Sequence, residues 1–382
     1  VASALSVFAS QGIPQAALRF VPRFRAKGQW NLLVSFLRHG ALRLAVGGAA
    51  IAVAGVLFFL LTGERPGIDT GTAAAMGLVV LFALAGLLTE TLRGLGLVVP
   101  AFAPHQFLVP LLWGAAAAAA LLLHAPPRAE TALVLLYGTV AVGLAWQTIT
   151  LLGHLPERSS QGHPSFDPGW LAVSRPLFAS TLVMALLDQA GIILLGILRG
   201  PEEVGIFTAA AKIAALCGLI LTAVNALAAP RYAALHAQGR REAMQDLARS
   251  LAHFIFWPTL LLAGLVIAAS PFLLLLFGNS FANASFPILL LLPGHLFNAA
   301  TGSVGYLADL TGLHRQAALI HGGCAALAIP AMAVLIHHWG LAGAALGTSL
   351  GMIAWNIGLS FLVASRLGVH PSIWAALQRG RE

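Results

Sequence analysis

Residues 186–216 read LLDQAGIILLGILRGPEEVGIFTAAAKIAAL, two apolar runs joined by the polar turn from Arg199 to Glu203. Each run belongs to a stretch of about 20 apolar residues, 176–198 and 204–229, long enough to cross the hydrocarbon core of a bilayer as a helix. The connection is so short that the two helices are antiparallel neighbours. Asp188 lies about 11 residues, roughly 16 Å, from the outer end of its helix, and Lys212 about eight residues, roughly 12 Å, from the same side of the next. A charge at that depth is costly unless it has a partner or water. The spacing therefore predicts an Asp188–Lys212 pair. It is either a structural lock or part of a cavity wall that exchanges with an anionic substrate or a proton.

The rest of the chain repeats this pattern. Of 382 residues, 59% are hydrophobic and 9% charged, whereas a soluble domain carries about 25% charged residues. Too few polar groups remain to cover a surface facing water, so lipid is the solvent for most of the chain. The net charge of +8 comes from arginines between apolar runs and is no sign of nucleic-acid binding. Cys217 and Cys324 sit inside apolar runs without CxxC or metal-ligand spacing and read as packing residues.

Eleven candidate spans cover 1–18, 40–62, 74–92, 98–123, 131–153, 176–198, 204–229, 251–272, 284–308, 316–337 and 341–365. Seventeen of the 21 Lys and Arg fall in alternate connections beginning with 19–39. Arg65, Arg128 and Arg199 fall in the opposite ones, and Lys212 lies within a span. That bias places the 19–39 loop and the C-terminal tail in the cytoplasm. PRFRAKGQWNLL from Pro22 is echoed by PRYAALHAQGRREAM from Pro230, a weak internal repeat relating two halves. On that alignment roughly 33 residues, one helix and its turn, are missing before Val1, and the complete protein has two six-helix halves. The expected organisation is an N-terminal transmembrane lobe over 1–153, a cytoplasmic linker rich in Pro, Gly and Ser over 154–175, and a C-terminal transmembrane lobe with its cytoplasmic tail over 176–382.

Other polar residues in the spans are few. Asn225 and Gln189 either line a cavity or join helices. Glu90 and Arg93, three apart, share a helix face and predict a local ion pair. Gly343, Gly347 and Gly351 recur every four residues and form a small-residue face for close helix approach. His337 and His338 are consecutive and do not share a face, so no metal site is expected there. The chain has no HExxH, Walker A, DDxxD-type cluster or triad, and its thirteen acidic residues are scattered. No enzyme activity, catalytic residue, metal or cofactor is expected.

Several stretches occur in order: GIPQAALRFVPRFRAKGQW (12–30), the hairpin quoted above, LLLLFGNSFANA (273–284), DLTGLHRQ (309–316) and HHWGLAGAALGTSLG (337–351). Together they resemble the polysaccharide-biosynthesis (Wzx-type) oligosaccharide flippases, of the superfamily that includes MATE exporters and lipid II flippases. The resemblance implies an all-α polytopic transmembrane bundle of two lobes, working by alternating access in the bacterial inner membrane. It implies undecaprenyl-diphosphate-linked oligosaccharide as cargo, H+ or Na+ as coupling ion, and a polymerase or glycosyltransferase as partner. A diphosphate needs cations along its path, while the prenyl tail stays in membrane lipid. Arg19, Arg23 and Arg25 at the cytoplasmic mouth are expected to capture it, and Lys212, with Asn225, to receive it deeper. Two other readings stand: a MATE-like cation-coupled exporter of small molecules, and a non-transporting membrane assembly partner.

Overall fold

The computed structural model describes residues 2–62, 70–123, 129–156 and 169–374. Arg65, Arg128, Arg158, Arg379 and Arg381 of the charge pattern, and most of the 154–175 linker, lie outside these residues. Every regular element among the described residues is a helix. In hydrocarbon, a backbone N–H or C=O without a partner is costly, and a helix satisfies all of them within one segment.

The chain divides into two compact units, Val1–Leu182 and Val183–Glu382. The first contains α1 (Ala2–Ser10), α2 (Ile13–Ala26), α3 (Trp30–Thr62), α4 (Thr70–Gly94), α5 (Val98–Ala103), α6 (Val109–Leu122) and α7 (Ala129–His154). A π-turn, Pro104–Leu108, joins α5 to α6. Helix α8 (Gly169–Leu198) carries the division between the units. The second unit continues with α9 (Pro201–Ala215), α10 (Gly218–Ala237), α11 (Arg241–Leu275), α12 (Ser285–Thr301), α13 (Val304–Leu310) and α14 (His314–Leu367).

Eight helices among the described residues are long and apolar enough to cross a membrane, or nine if the bent pair α9–α10 is one span. The difference from the eleven expected has two geometric sources. As a straight rod, the 54 residues of α14 would measure ~80 Å, far beyond a ~30 Å hydrocarbon core. They do not run straight, because Gly340 (φ 52°, ψ −125°) turns the chain in a conformation that favours glycine. A Cβ on Gly343 would meet the Leu335 carbonyl, one on Gly347 would meet Met332, and one on Gly358 would meet Ile320. Rising numbers facing falling ones define an antiparallel hairpin, matching the expected spans 316–337 and 341–365. The second source is the stretch 1–18, where the helix breaks at Gln11 (φ 48°) and Gly12 (φ 73°). A Cβ on Gly12 would collide with the Ser174 carbonyl oxygen, so that corner requires glycine.

The basic stretch after residue 18, expected as a loop, is helical through Ala26. The reason is amphipathicity: Ala17, Phe20, Val21 and Phe24 of α2 are buried, while Arg23 and Arg25 are exposed. The echo from Pro230 is helical too and ends the same way. Gly28 (φ 64°) and Gly239 (φ 66°) follow the two helices. Around them Gly28 N–H donates to Arg25 O and Gln29 N–H to Phe24 O, while Gly239 N–H donates to His236 O and Arg240 N–H to Leu235 O.

In the second unit, the turn between α8 and α9 caps the α14 hairpin. Arg199 donates through Nε and Nη2 to Ile336 O (3.2 and 3.1 Å) and through Nη2 to His337 O (2.8 Å). These carbonyls lie at the end of the helical segment that stops at Gly340, where a cation also suits the helix dipole. At the other end, Gln245 Nε2 donates to His370 O (3.0 Å) and accepts from His370 N–H at Oε1 (2.6 Å), tying residues 368–374 to α11.

The glycine seam of α14 is directly testable. Gly343→Ala places a methyl group against backbone and should cost about 1–3 kcal/mol by overpacking. Gly323→Ala, with open space around it, should be neutral or gain up to about 1 kcal/mol from helix propensity. Thermal unfolding of the two variants in detergent checks the contrast.

Candidate functional site

The ionisable and polar groups of the spans fall into separate clusters in each unit. In the first unit, Arg23, Arg25 and Lys27 are exposed at the end of α2. Arg19 stands one helical turn before Arg23, and its side chain lies outside the described residues. Arg25 Nη1 donates to the Leu95 carbonyl just past the end of α4, satisfying an orphan acceptor there. Its first role is thus a helix cap, and Arg23 makes no bond of that kind among the described residues. Glu90 and Arg93 form the expected ion pair, 2.7 Å between Oε2 and Nη1, with the guanidinium 5.1 Å from the centre of the Phe102 ring.

In the second unit, Asp188 and Lys212 each stand twelve residues from Gly200, so their depths match. They nevertheless do not pair: among the described residues, ion pairs form only at Glu90–Arg93 and Asp246–Arg249. The expectation failed on azimuth. A Cβ on Gly191 of α8 would meet Phe207 of α9 at 2.9 Å, which fixes the facing sides. Lys212 is five residues beyond Phe207, about 140° around the helix, opposite the buried face made by Phe207, Ala210 and Ala214. Both Asp188 and Lys212 are exposed on the surface of their unit. Asn225 on α10 is 3% exposed, and its Oδ1 has no hydrogen-bond partner among the described residues.

Two turns along α10 from Asn225, Tyr232 is fully buried. Burial pushes its hydroxyl up to about 12, an effect partly offset by Ser303, so it is a neutral donor at physiological pH. The hydroxyls of Tyr232 and Ser303 face one another without a close hydrogen bond. No group of three or more His, Cys, Asp or Glu side chains able to hold a metal occurs among the described residues.

A polar network in the first unit escaped the sequence reading. Gln147 of α7, fully buried, donates through Nε2 to Thr89 Oγ1 of α4 (3.0 Å) and to Ala101 O of α5 (2.9 Å). Its Oε1 lies 3.1 Å from His105 Nε2 in the π-turn. The signal in the sequence was PHQFLVP, two prolines bracketing a histidine inside an apolar run. Hydropathy alone passes over it, because each proline is tolerated in a membrane helix.

Residues 169–286 match the family described as polysaccharide biosynthesis protein, a segment running from the start of α8 to the first turn of α12. No curated protein is significantly similar to the chain in sequence. Solved structures match it over nearly its whole length. An inward-facing multidrug resistance MATE family transporter of the MOP superfamily gives a TM-score of 0.73 at 14% identity, covering 96% of this chain and 88% of its own. A MATE protein in complex with MaL6 gives 0.70 at 15% identity, covering 96% and 86%. A MOP superfamily transporter from Pyrococcus furiosus gives 0.66 at 14% identity, covering 96% and 85%, and a reverse polarity of its binding pocket is described as suggesting a different function. A multi-pass, all-helical membrane chain with the MATE fold thus carries, over residues 169–286, the sequence signature of the polysaccharide biosynthesis proteins.

Proposed function

We propose that the protein moves a polyprenyl-diphosphate-linked oligosaccharide across the bacterial inner membrane by alternating access, with its C-terminus in the cytoplasm. The observation that carries this reading is Lys212. It is a cation without an ion-pair partner among the described residues, on the exposed side of α9, deep in a membrane span, and within the segment that matches the polysaccharide biosynthesis family. A diphosphate passing through a low-dielectric path needs such a cation, and charge-assisted hydrogen bonds to phosphate are among the stronger ones available. Arg19 and Arg23 on α2 make the entry site, together with the donors of Arg25 that Leu95 leaves free. Asn225 supplies a further polar contact. H+ or Na+ would couple the cycle, and glycosyltransferases or a polymerase would hand over and take up the cargo.

A second reading, a MATE-like exporter of small cations, is favoured by Asp188, which is exposed and has no ion-pair partner among the described residues. A free carboxylate in a span suits a cationic cargo or coupling ion, as a free lysine suits an anionic one.

Reconstitution into vesicles with a lipid-linked oligosaccharide separates these readings by the appearance of the glycan on the opposite leaflet. Lys212→Gln and Arg23→Gln should each slow flipping about tenfold or more without lowering the melting temperature, one charge-assisted contact being worth about 1.5–3 kcal/mol. Unchanged rates in both variants would sink the phosphate path. Arg25→Gln should behave differently, lowering the melting temperature and the rate together, because it removes the cap on α4.

Charge exchange tests the unpaired geometry. In Asp188→Lys with Lys212→Asp, the effects of the single changes should add within about 0.5 kcal/mol, as for non-contacting sites. Recovery of transport in the double variant would show that the two side chains meet during the cycle.

A further inference from the structure

We infer that His105, in the π-turn between α5 and α6, is a proton-binding site built into the first unit, with Nδ1 as the atom that takes the proton. The inference rests on the transport reading only for its role, which is to couple proton movement to the cargo step. The turn itself arises from Pro104 and Pro110. Val109 N–H donates to Pro104 O, five residues back, in place of the usual four. Pro110, having no N–H, donates to nothing. The His105 carbonyl therefore has neither its α-helical donor, Val109, nor its π-helical donor, Pro110. A bare carbonyl roughly 10 Å into a membrane span attracts water or a hydrogen-bonding ion. Such π-turns recur at functional positions for this reason.

The network then fixes the state of the ring. Ala101 O can only accept, so the Gln147 amide nitrogen must face it, and the second amide hydrogen goes to Thr89. Gln147 Oε1 is left as the acceptor toward His105 Nε2 at 3.1 Å. Nε2 carries a hydrogen in the neutral and the charged ring alike, and Nδ1 holds the lone pair that binds H+. Protonation at Nδ1 keeps the bond to Gln147, strengthens it by adding charge to the donor, and creates a new N–H.

Among the described residues, no ion pair or hydrogen bond links a carboxylate to His105. Of the ionisable groups on the helices packed around the turn, Glu90 and Arg93 of α4 bond to each other. Tyr137 and His154 of α7 stand about 10 Å or more from Gln147 along the helix axis. A bound proton therefore adds a net positive charge at the point where α4, α5 and α7 are tied together by one buried amide. It changes the preferred position of the π-turn against those helices.

The test uses the full chain in lipid nanodiscs, with histidine labelled by 13C and 15N. Comparison with His105→Gln, which keeps a donor for Gln147, assigns the signal. In a titration from mildly alkaline to acidic pH we expect the Nε2–H form at the alkaline end, uptake of one proton toward the acidic end, and a changed tautomer ratio in Gln147→Leu. A ring that stays neutral across this range, or is indifferent to Gln147→Leu, overturns the site whatever the protein transports. In vesicles, a proton gradient should speed flipping by the wild type, and His105→Gln should flip at the gradient-free rate with or without the gradient. Full gradient response in His105→Gln removes the coupling role and leaves the flippase reading intact. Absence of flipping under every condition, with the titration preserved, overturns the flippase reading and leaves the proton site standing.

Discussion

Everything in this structure depends on one requirement: a backbone amide in hydrocarbon must find its partner inside the protein. Helices meet it along their length, and the chain is helical wherever that length is needed. The chemistry gathers where the helices fail. At the break between α1 and α2, the Ser10 hydroxyl donates back to Val7 O. At the Gly340 turn, Arg199 covers two carbonyls. At the π-turn, Gln147 covers Ala101 O. In the bend between α9 and α10, Leu216 and Cys217 tighten to three-residue bonds with Ile213 and Ala214. At these four places the shortfall is met within the protein, while the His105 carbonyl at the π-turn is left without a backbone donor.

The same logic explains why the two units resemble one another where their sequences barely do. Both carry a helix broken partway, α1–α2 in one and α9–α10 in the other. In both, the broken helix then runs past a proline into a basic stretch and ends on a left-handed glycine with the same pair of backbone bonds. Pro22 and Pro230 sit within their helices and do not end them. Membrane helices generally tolerate the carbonyls that such prolines free. What survives between the halves is the device, a kinked helix with a cationic end, more than the residues that make it.

Hydropathy made the spans legible because it scales with length, and lengths near 20 residues are set by the bilayer. The α8–α9 hairpin, the local Glu90–Arg93 pair and the glycine face of α14 followed from that and from helical spacing. What failed was angular. Depth along a helix can be counted from its end, but the direction of a side chain depends on which face its neighbour takes. For Asp188 and Lys212 that was settled by Gly191 meeting Phe207, a contact that no spacing in one helix encodes. The His105–Gln147 link was invisible for a related reason. It joins residues 42 apart through a turn whose shape depends on two missing N–H groups, and each proline alone signals only a kink.

The unpaired state of Asp188 and Lys212 bears on how far the fold decides the cargo. Two opposite charges at matched depth, on neighbouring antiparallel helices, would have neutralised one another had their azimuths agreed. They are kept on separate faces, so each remains available to something other than its neighbour. The fold is common to MATE proteins at identities of 14–15%, and for one MOP relative a reversed pocket polarity is taken to suggest a different function. On the proposed transport reading, the choice between an anionic lipid headgroup and a cationic cargo would then come down to which charge faces the path. The direction of each charge is set by packing such as that of Gly191 against Phe207, which the length and hydropathy of a span do not record.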